Sequence, residues 1–437
     1  MVYSLAVGLI STHPSEGHPG LPVRTLVAEV VEGPDKGLRA VASSDSLTIG
    51  TAEGNDLLLS DRTVSRYHLE LGRGAGGIVL RDLDSTNGTL HAGARIRDGL
   101  VPLGSALQLG DTRIVVSDGE RVTVELHDEE EYAGIVGRTP IMRRLMAQIR
   151  KAARADTPVL VIGESGTGKE LVARALHDEG RRSGKPFVTV DCGALAPTLV
   201  ASELFGHEKG AFTGADRQHQ GAFERAHGGT LFLDELGELP STLQPTLLGA
   251  LERGTFRRVG GRSPVEVDVR VVCATHRDLR AEVNAGRFRL DLYYRVAVVV
   301  LNLPPLRERT EDVPILIERF LEEAGHAGEL EEIIPPDTMT SLCAHRWPGN
   351  VRELRNVVEA TLAMGEPPRL HPELGQDDEA WMELGYKQAR QAVLGDFEGR
   401  YLRRLIERAE GNVSRAAREA RMDRTYLIKL LQKHGLR

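Results

Sequence analysis

The feature that most constrains the fold is the stretch from Thr157 to Glu170. Residues 158–162 are apolar and partly β-branched, which is typical of a strand buried on both faces. A glycine-rich loop and an amphipathic helical pattern follow. Such a loop turns backbone N–H groups towards phosphate oxygens, the helix start favours negative charge, and Lys169 can reach the β and γ phosphates. We therefore expect an ATP site at Gly163, Glu164, Ser165, Gly166, Thr167, Gly168, Lys169 and Glu170.

A pair of carboxylates supports this interpretation. The apolar run Leu231–Leu233 is followed by Asp234 and Glu235. At the end of a buried strand, one carboxylate can hold magnesium while the other polarises water. An acidic pair alone is more often a solvated turn, but the phosphate loop upstream favours catalysis. Glu170 stands where the general pattern has a magnesium-binding hydroxyl, so Asp234 and Glu170 are the candidate metal ligands.

Further apolar runs alternate with helical stretches, at residues 187–190, 230–233, 269–274 and 296–301. This alternation predicts an α/β domain around a mostly parallel sheet. Thr139 and Pro140 mark the start of a helix before the phosphate loop. Ile141, Leu145 and Ile149 are expected to line one face of this helix.

Length, charge and cysteine content indicate how many domains the chain has and which cellular compartment suits it. A chain of 437 residues should hold about three domains. The net charge is −8, yet residues 386–437 contain 13 Lys/Arg against 6 Asp/Glu, so this tail carries +7 and the rest −15. A basic tail on an acidic body suggests a nucleic-acid-binding module. Three scattered cysteines fit a reduced cytoplasm, and no apolar run is long enough to span a bilayer.

Short β-type runs with polar turns between residues 22 and 117 predict a β-sandwich. Ser65–His68 and Asp84–Thr89 within it resemble the forkhead-associated (FHA) domain, which binds phosphothreonine peptides. The resemblance implies that Ser65 and Arg66 meet the phosphate, that Thr86 supports the loop and that Asn87 bonds the peptide backbone. His68 is expected to brace the loop. Thr51 stands where the family usually has an arginine, which predicts weaker phosphate binding. A sandwich used only for protein contact is the alternative.

Residues 118–134, including four consecutive acidic residues, are expected to be a linker to the second domain, residues 135–365. This domain resembles the AAA+ activators of sigma-54 RNA polymerase, the bacterial enhancer-binding proteins. The loop that marks the family is Gly210, Ala211, Phe212, Thr213, Gly214 and Ala215. Residues 163–170, 228–235, 288–295, 303–309 and 347–354 match the same family. The resemblance implies that Phe212 and Thr213 touch the sigma factor as ATP is turned over.

Other roles follow from the same resemblance. Lys169 would bind phosphate, Asp234 magnesium, and Glu235 would be the general base. Thr275 and His276 would sense the γ-phosphate, and Arg352 would reach the nucleotide from the lid. Arg289 and Arg295 would serve a neighbouring subunit's ATP, which implies a ring, expected to be a hexamer. Asp191 replaces the family's usual asparagine, which restrains the catalytic glutamate. An ionised carboxylate cannot donate a hydrogen bond, so the restraint is weaker or Asp191 is protonated or paired.

Residues 366–385 are rich in proline, glycine and acid and predict a second linker. Residues 386–437 resemble a Fis-type helix-turn-helix domain. Leu427, Leu430 and Leu431 are expected to face its core. The side chains expected to face DNA are Arg424, Thr425, Tyr426, Lys429 and Lys433.

The sequence therefore predicts a multidomain protein: an FHA-like β-sandwich, an α/β AAA+ ATPase with a helical lid, and a small all-α helix-turn-helix domain. The expected function is ATP-driven activation of sigma-54 RNA polymerase from an upstream DNA site, under phosphothreonine signalling from a kinase or phosphoprotein. Two alternatives remain: a DNA-binding repressor with a relic ATPase, and an AAA+ ATPase that remodels other proteins. The intact loop at residues 210–215 argues against the first, and the basic tail argues against the second.

Overall fold

The computed structural model of the protein describes residues 20–42, 46–74, 76–193, 197–326 and 330–365. In the tail it describes residues 402, 405, 409, 413–420, 422, 427–428 and 430–431. The chain divides into two compact units, Met1–Pro368 and Arg369–Arg437. Among the described residues, none of the helices has the length and apolar character needed to cross a membrane.

The first part of the chain is a β-sandwich, as predicted. One sheet has the strand order β2-β1-β11-β10-β7-β8, and the other has the order β4-β3-β5-β6-β9. Leu69 and Leu71 are fully buried while Glu70 between them is not, because alternate side chains of a strand face opposite sides of the sheet. The strands are β1 Gly20–Glu32, β2 Arg39–Val41, β3 Ser46–Gly50, β4 Leu57–Leu58, β5 Leu69–Gly74, β6 Gly77–Asp82, β7 Thr89–His91, β8 Ala94–Ile96, β9 Asp98–Val101, β10 Ala106–Leu109 and β11 Thr112–Glu125.

The connection between the first two domains is shorter than the expected linker. Strand β11 pairs with β1 as far as the Gly20–Glu125 pair, so residues 118–125 belong to a β-ribbon. A small hairpin follows, formed by β12 Glu131–Tyr132 and β13 Ile135–Val136. The acidic composition of the segment did not indicate this pairing.

The second domain is built on a five-stranded parallel sheet with the order β15-β16-β19-β14-β20. This confirms the predicted α/β fold. Its strands are β14 Val159–Ile162, β15 Phe187–Asp191, β16 Thr230–Asp234, β19 Arg270–Thr275 and β20 Val299–Asn302. A separate two-stranded sheet contains β17 Thr255–Arg257 and β18 Pro264–Glu266. Val159, Leu160 and Val161 are fully buried, as expected for a strand covered on both faces.

Helices cover the parallel sheet, and others form the lid. The helices are α1 Pro140–Ala153, α2 Lys169–Asp178, α3 Pro197–Phe205, α4 Ala222–Arg225, α5 Gln244–Arg253, α6 Leu279–Asn284, α7 Leu290–Val296, α8 Val313–Glu323, α9 Leu330–Ile333, α10 Pro336–Ala344 and α11 Asn350–Met364. Short 3-10 turns lie at Leu236–Glu238, Leu306–Glu308 and Thr310–Asp312. Trp347 is fully buried in the lid, where its Nε1 donates to the Leu342 carbonyl (2.9 Å).

Two apolar positions differ from the simplest interpretation of the sequence pattern. Of the three residues predicted to line one face of α1, Leu145 and Ile149 are buried, as is Met142, while Ile141 is 41% exposed. The last strand begins at Val299. Val296 ends α7 and is buried together with Leu292 one turn earlier, so a continuous apolar run contains the end of a helix and the start of a strand.

The second unit contains helix α12 Val413–Glu419 and a small core. Leu427, Leu430 and Leu431 are buried there with Ala416 and Ala417, which confirms the predicted inner positions. Small alanines allow close helix packing. The five side chains expected to face DNA, at positions 424, 425, 426, 429 and 433, lie outside the described residues.

Candidate active site at the carboxyl edge of the parallel sheet

The candidate site is assembled by the parallel strands. Because all five run in the same direction, the loop after β14, the carboxylates ending β16 and residues ending β19 share one edge. The Gly163 N–H donates to the Thr275 carbonyl (3.2 Å), which fixes the start of the phosphate loop beside β19. Thr275 itself is fully buried, and its Oγ1 accepts the Arg277 N–H (3.1 Å).

Lys169 opens α2 and is 6% exposed. Its Nζ donates to the Gly163 carbonyl (2.9 Å) and lies 3.3 Å from Oε1 of Glu235. A buried ammonium is stable only when charge and hydrogen-bonding partners surround it. Lys169 is therefore held at the mouth of the loop, where phosphate oxygens bind in P-loop proteins.

The Glu235 carboxylate contacts two side chains, those of Lys169 and His276. Besides Lys169, its Oε2 lies 2.6 Å from Nδ1 of His276 and accepts the His276 backbone N–H (3.3 Å). Burial alone would raise the pKa of Glu235, but the His276 hydrogen bond and the Lys169 charge outweigh it and lower the pKa. Glu235 also has a left-handed backbone (φ 48°), which is costly for this residue type and is typical of functional positions. The carboxylate is thus kept ionised, as a general base requires.

Asp234 and Asp191 end neighbouring strands and are partners in the β15–β16 register. Burial raises the pKa of Asp234, and the charges of Glu235 and Asp191 add to this, against the Glu235 N–H bond and Lys169. Oδ1 of Asp191 accepts the Gly193 N–H (2.8 Å). A divalent cation at Asp234 would offset this concentration of negative charge, so the residues fit magnesium.

The second candidate metal ligand is placed differently. Glu170 is exposed and its carboxylate accepts from Arg174 one turn along α2 (2.9 Å). In the part of the chain that the structure describes, no group of three or more His, Cys, Asp and Glu side chains is arranged to hold a metal. Magnesium binding at an ATPase site needs only one or two carboxylates when phosphates supply the other ligands.

The lid contacts the phosphate loop directly. Arg352 donates from its backbone N–H to the Gly166 carbonyl (3.2 Å) and from Nη1 to Oγ of Ser165 (3.1 Å). Gly166 has φ 78°, and a Cβ there would lie 2.2 Å from the Gly349 carbonyl oxygen. Only glycine fits so close to the lid backbone.

Three further residues at this junction were not predicted from the sequence. Asn350 is fully buried and donates to the Ser165 carbonyl (3.0 Å), while Arg307 pairs with Glu164 (2.6 Å). Arg309 donates to the Thr167 carbonyl (3.3 Å), and burial lowers its pKa to about 10. All three lie in segments that were predicted only as matches to the family, so no role was predicted for these individual side chains.

Of the two arginines expected to act on a neighbouring subunit's ATP, Arg289 immediately precedes α7 and Arg295 lies in its last turn. Arg289 is exposed and pairs with Asp291 (2.7 Å). Arg295 is also exposed and donates to the Leu251 carbonyl (2.6 Å). Their described contacts are therefore with nearby residues of the same domain.

The loop at residues 210–215 projects as a closed turn. Its base is tied by the Gly210 N–H to the Ala215 carbonyl (2.8 Å), and Ala215 is buried. The Phe212 ring packs edge-on against His207, with ring centres 4.9 Å apart. Thr213 at the tip is exposed.

The candidate phosphopeptide residues lie together on the sandwich. Oγ of Ser65 accepts the Thr86 N–H (3.0 Å), and Nδ2 of Asn87 donates to the Thr63 carbonyl (2.7 Å). The Ser65 N–H donates to Nδ1 of the buried His68 (3.1 Å), so His68 braces this loop as predicted. Arg66 is exposed and donates to a carbonyl of the ATPase domain.

A phosphate loop after the buried strand β14, an Asp-Glu pair at the same edge of the sheet and a helical lid on the loop define a P-loop ATPase of the AAA+ class. Residues 135–302 match the sigma-54 interaction domain, residues 307–375 the AAA+ ATPase lid domain, and residues 29–120 the cytoplasmic domain of an inner membrane component of type III secretion systems.

Known proteins resemble this chain over most of its length. Transcriptional regulatory protein GlrR of Escherichia coli is 42% identical over 325 residues, which is 74% of this chain and 72% of GlrR. Nif-specific regulatory protein of Azotobacter vinelandii is 53% identical over 232 residues, 53% of this chain and 44% of that protein. The crystal structure of NtrX from Brucella abortus with ADP has a TM-score of 0.50 at 37% identity, covering 70% of each chain. The chain belongs to the sigma-54-dependent transcriptional activators.

The roles of Glu235 and Lys169 can be separated by substitution. Glu235→Gln should bind ATP but lose about 10²–10⁴-fold in turnover, the usual contribution of a general base. Lys169→Ala should weaken ATP binding itself, since the phosphate contact is lost. Nucleotide titration and steady-state hydrolysis measure the two effects. Wild-type turnover by Glu235→Gln would show that another group is the base.

The His276 contact predicts a pH effect. Since this hydrogen bond lowers the pKa of Glu235, His276→Ala should raise it, and Glu235 should then become protonated at higher pH. The acid limb of the kcat/KM profile for ATP should move to higher pH, because this profile reports the free enzyme. His276→Asn, which keeps a side-chain donor, is the matched control and should shift less. An unchanged acid limb in His276→Ala would contradict the assignment.

Proposed function

We propose that this protein assembles a homo-oligomeric ring, expected to be a hexamer, and uses ATP hydrolysis to remodel sigma-54 RNA polymerase into an open complex. The observation that carries the proposal is the pairing of a complete set of phosphate-binding and base residues with an exposed loop outside that site. Thr213 is exposed at the loop tip, and Phe212 rests on His207. An ATPase with no protein target would have no use for a presented aromatic loop.

The positions of two arginines support the proposed ring. Arg289 precedes α7 and Arg295 lies in its last turn, both are exposed, and their described bonds are to Asp291 and the Leu251 carbonyl. Arginine supplied to a phosphate in trans stabilises the charge that develops in phosphoryl transfer. Both side chains can meet the ATP of a neighbouring copy if they exchange these local partners.

The tail is proposed to bind an upstream DNA site. Residues 386–437 carry a net charge of +7, and the described core of Leu427, Leu430 and Leu431 supports a packed helical domain. A basic helical module gains affinity by neutralising DNA phosphates. In the ATPase site, Asp234 is proposed to bind the magnesium ion that accompanies ATP. In the sandwich, a phosphothreonine protein or kinase is proposed to be recognised through Ser65, Arg66, Thr86 and Asn87.

The sigma-factor contact is tested at the loop tip. Thr213→Ala should keep ATP hydrolysis, because Thr213 lies outside the phosphate-binding motifs, but should abolish open-complex formation on a sigma-54 promoter. Thr340→Ala, another exposed threonine, in lid helix α10, is the matched control and should keep both activities. Permanganate footprinting with an ATPase assay measures the two. Normal promoter opening by Thr213→Ala would show that Thr213 is not the sigma-factor contact, and absence of promoter opening by the wild type would favour the repressor alternative.

The DNA proposal separates base reading from phosphate contact. Arg424→Ala at the expected recognition-helix start should cost about 1–3 kcal/mol on the cognate site and much less on random DNA. Lys433→Ala should weaken binding to both DNAs and reduce the salt slope by about one unit. Titrations on both DNAs at several salt concentrations distinguish the two. Equal losses on both DNAs for Arg424→Ala would show that this residue only positions the tail.

A further inference from the structure

The sandwich face that carries Ser65 and Arg66 packs directly on the ATPase domain. Ala52, Tyr67 and Leu83 of the sandwich belong to the same buried cluster as Val283 and Leu292 of the ATPase domain. Tyr67 is 2% exposed, and its ring meets that of Tyr293 edge-on, with centres 5.4 Å apart. The two domains thus share a continuous apolar contact at this face.

Asn284, the last residue of α6, makes the contact specific. Its Oδ1 accepts the Tyr67 N–H (3.3 Å), and its Nδ2 donates to the carbonyls of Tyr67 and Leu83 (2.8 Å for Leu83). Both ends of one amide side chain are therefore used by the sandwich backbone next to Arg66. Buried polar groups that are fully paired specify one arrangement, because losing a partner is costly.

Charges surround this contact. Arg280 of α6 pairs with Glu70 of β5 (2.7 Å) and with Asp278 (3.2 Å), and all three side chains are less than one-fifth exposed. Arg81 of the sandwich lies 3.6 Å from Asp278. Burial would raise the pKa of Asp278, but the Arg280 and Arg81 charges lower it. Since Glu70 is the acidic partner that comes from the sandwich, a charge reversal there would oppose docking.

Arg66 itself is engaged in the docked arrangement. Its Nη2 donates to the Val283 carbonyl (3.1 Å), next to the Asn284 contacts. A guanidinium binds a phosphate dianion more strongly than a neutral carbonyl. The cation expected to hold phosphothreonine is thus directed at α6, and a peptide laid over Ser65 and Arg66 would meet the ATPase backbone there.

The sandwich also contacts α7, the helix that follows Arg289 and contains Arg295. The Tyr294 hydroxyl donates to the Glu53 carbonyl of the sandwich, and the Tyr293 ring meets that of Tyr67 edge-on. Both tyrosines lie in α7, between Arg289 and Arg295. In this arrangement the sandwich therefore contacts α7, the helix that would present Arg289 and Arg295 to the ATP of a neighbouring subunit.

We propose that a phosphothreonine peptide and the α6–α7 surface of the ATPase domain compete for the Arg66 face of the sandwich. Peptide binding then separates the sandwich from α6 and α7, and docking weakens peptide binding. This inference rests on the proposed phosphothreonine function and names the intramolecular competitor for that site.

Charge reversal at Glu70 tests the competition in the full chain. Glu70→Arg places two guanidinium groups together at Arg280 and should undock the sandwich, and Glu70→Gln should act in the same direction more weakly. If about 90% of the wild-type chain is docked, undocking should tighten phosphothreonine binding about tenfold. The probe is a peptide library with a fixed central phosphothreonine, with the unphosphorylated library as the blank. Glu32→Arg is the matched control, because Glu32 pairs with Arg113 inside the sandwich, and it should bind like wild type.

Amide exchange on the wild-type chain gives a second measurement. Adding the phosphothreonine library should speed exchange in residues 279–284 and 290–296, which the sandwich covers when docked. Equal affinity of wild type and Glu70→Arg, with no exchange change on binding, would overturn the competition while leaving phosphothreonine recognition intact. If neither chain distinguishes the phosphorylated library from the blank, the phosphothreonine function fails, and the competition with it.

Discussion

The ion pair between Lys169 and Glu235 connects the parts of the ATPase site. Lys169 is 6% exposed and begins α2, while Glu235 follows β16, which is separated from β14 by β19 in the sheet. Neither charge is stable at this depth alone, so each supports the other together with the Gly163 carbonyl and His276. A phosphate oxygen bound to Lys169 competes for one of the two groups that hold Glu235. Phosphate binding at Lys169 and the position of the Glu235 carboxylate, the proposed general base, are therefore linked through a single ammonium.

The lid is part of the same arrangement. Arg352, Asn350 and Arg309 all donate to backbone carbonyls of the phosphate loop. A P-loop presents its N–H groups to phosphate, which leaves its carbonyls free to accept these lid donors. Any movement of the loop on nucleotide turnover would therefore be transmitted to α11 through these hydrogen bonds. We infer that the lid can move with the loop without a direct contact to Glu235.

The sequence predicted these features unequally, for physical reasons. Strand β14 and its glycine loop were predictable because a doubly buried strand must be apolar and a phosphate cradle needs glycine. The His276–Glu235 bond joins residues far apart in sequence, and it depends on β16 and β19 being adjacent. The contact of Arg66 with Val283 was not predictable, since an exposed arginine in a loop carries no signal of which domain it will meet. The tail's DNA-facing residues and the chain's partners remain predictions.

The character of the interdomain contact decides whether it can be reversed. A large apolar interface would hold the sandwich permanently, as in obligate assemblies. Here the apolar centre is small, and the surrounding bonds use charged or amide side chains such as Arg280 and Asn284. Such groups recover hydrogen bonds to water when the domains separate, so the net stabilisation from each hydrogen bond is modest. One charge-assisted contact between a guanidinium and a phosphate is comparable in strength with the net stabilisation from one or two of these interdomain hydrogen bonds. A polar interface built around Arg66, the arginine proposed to bind phosphate, is thus one that a phosphorylated ligand could open.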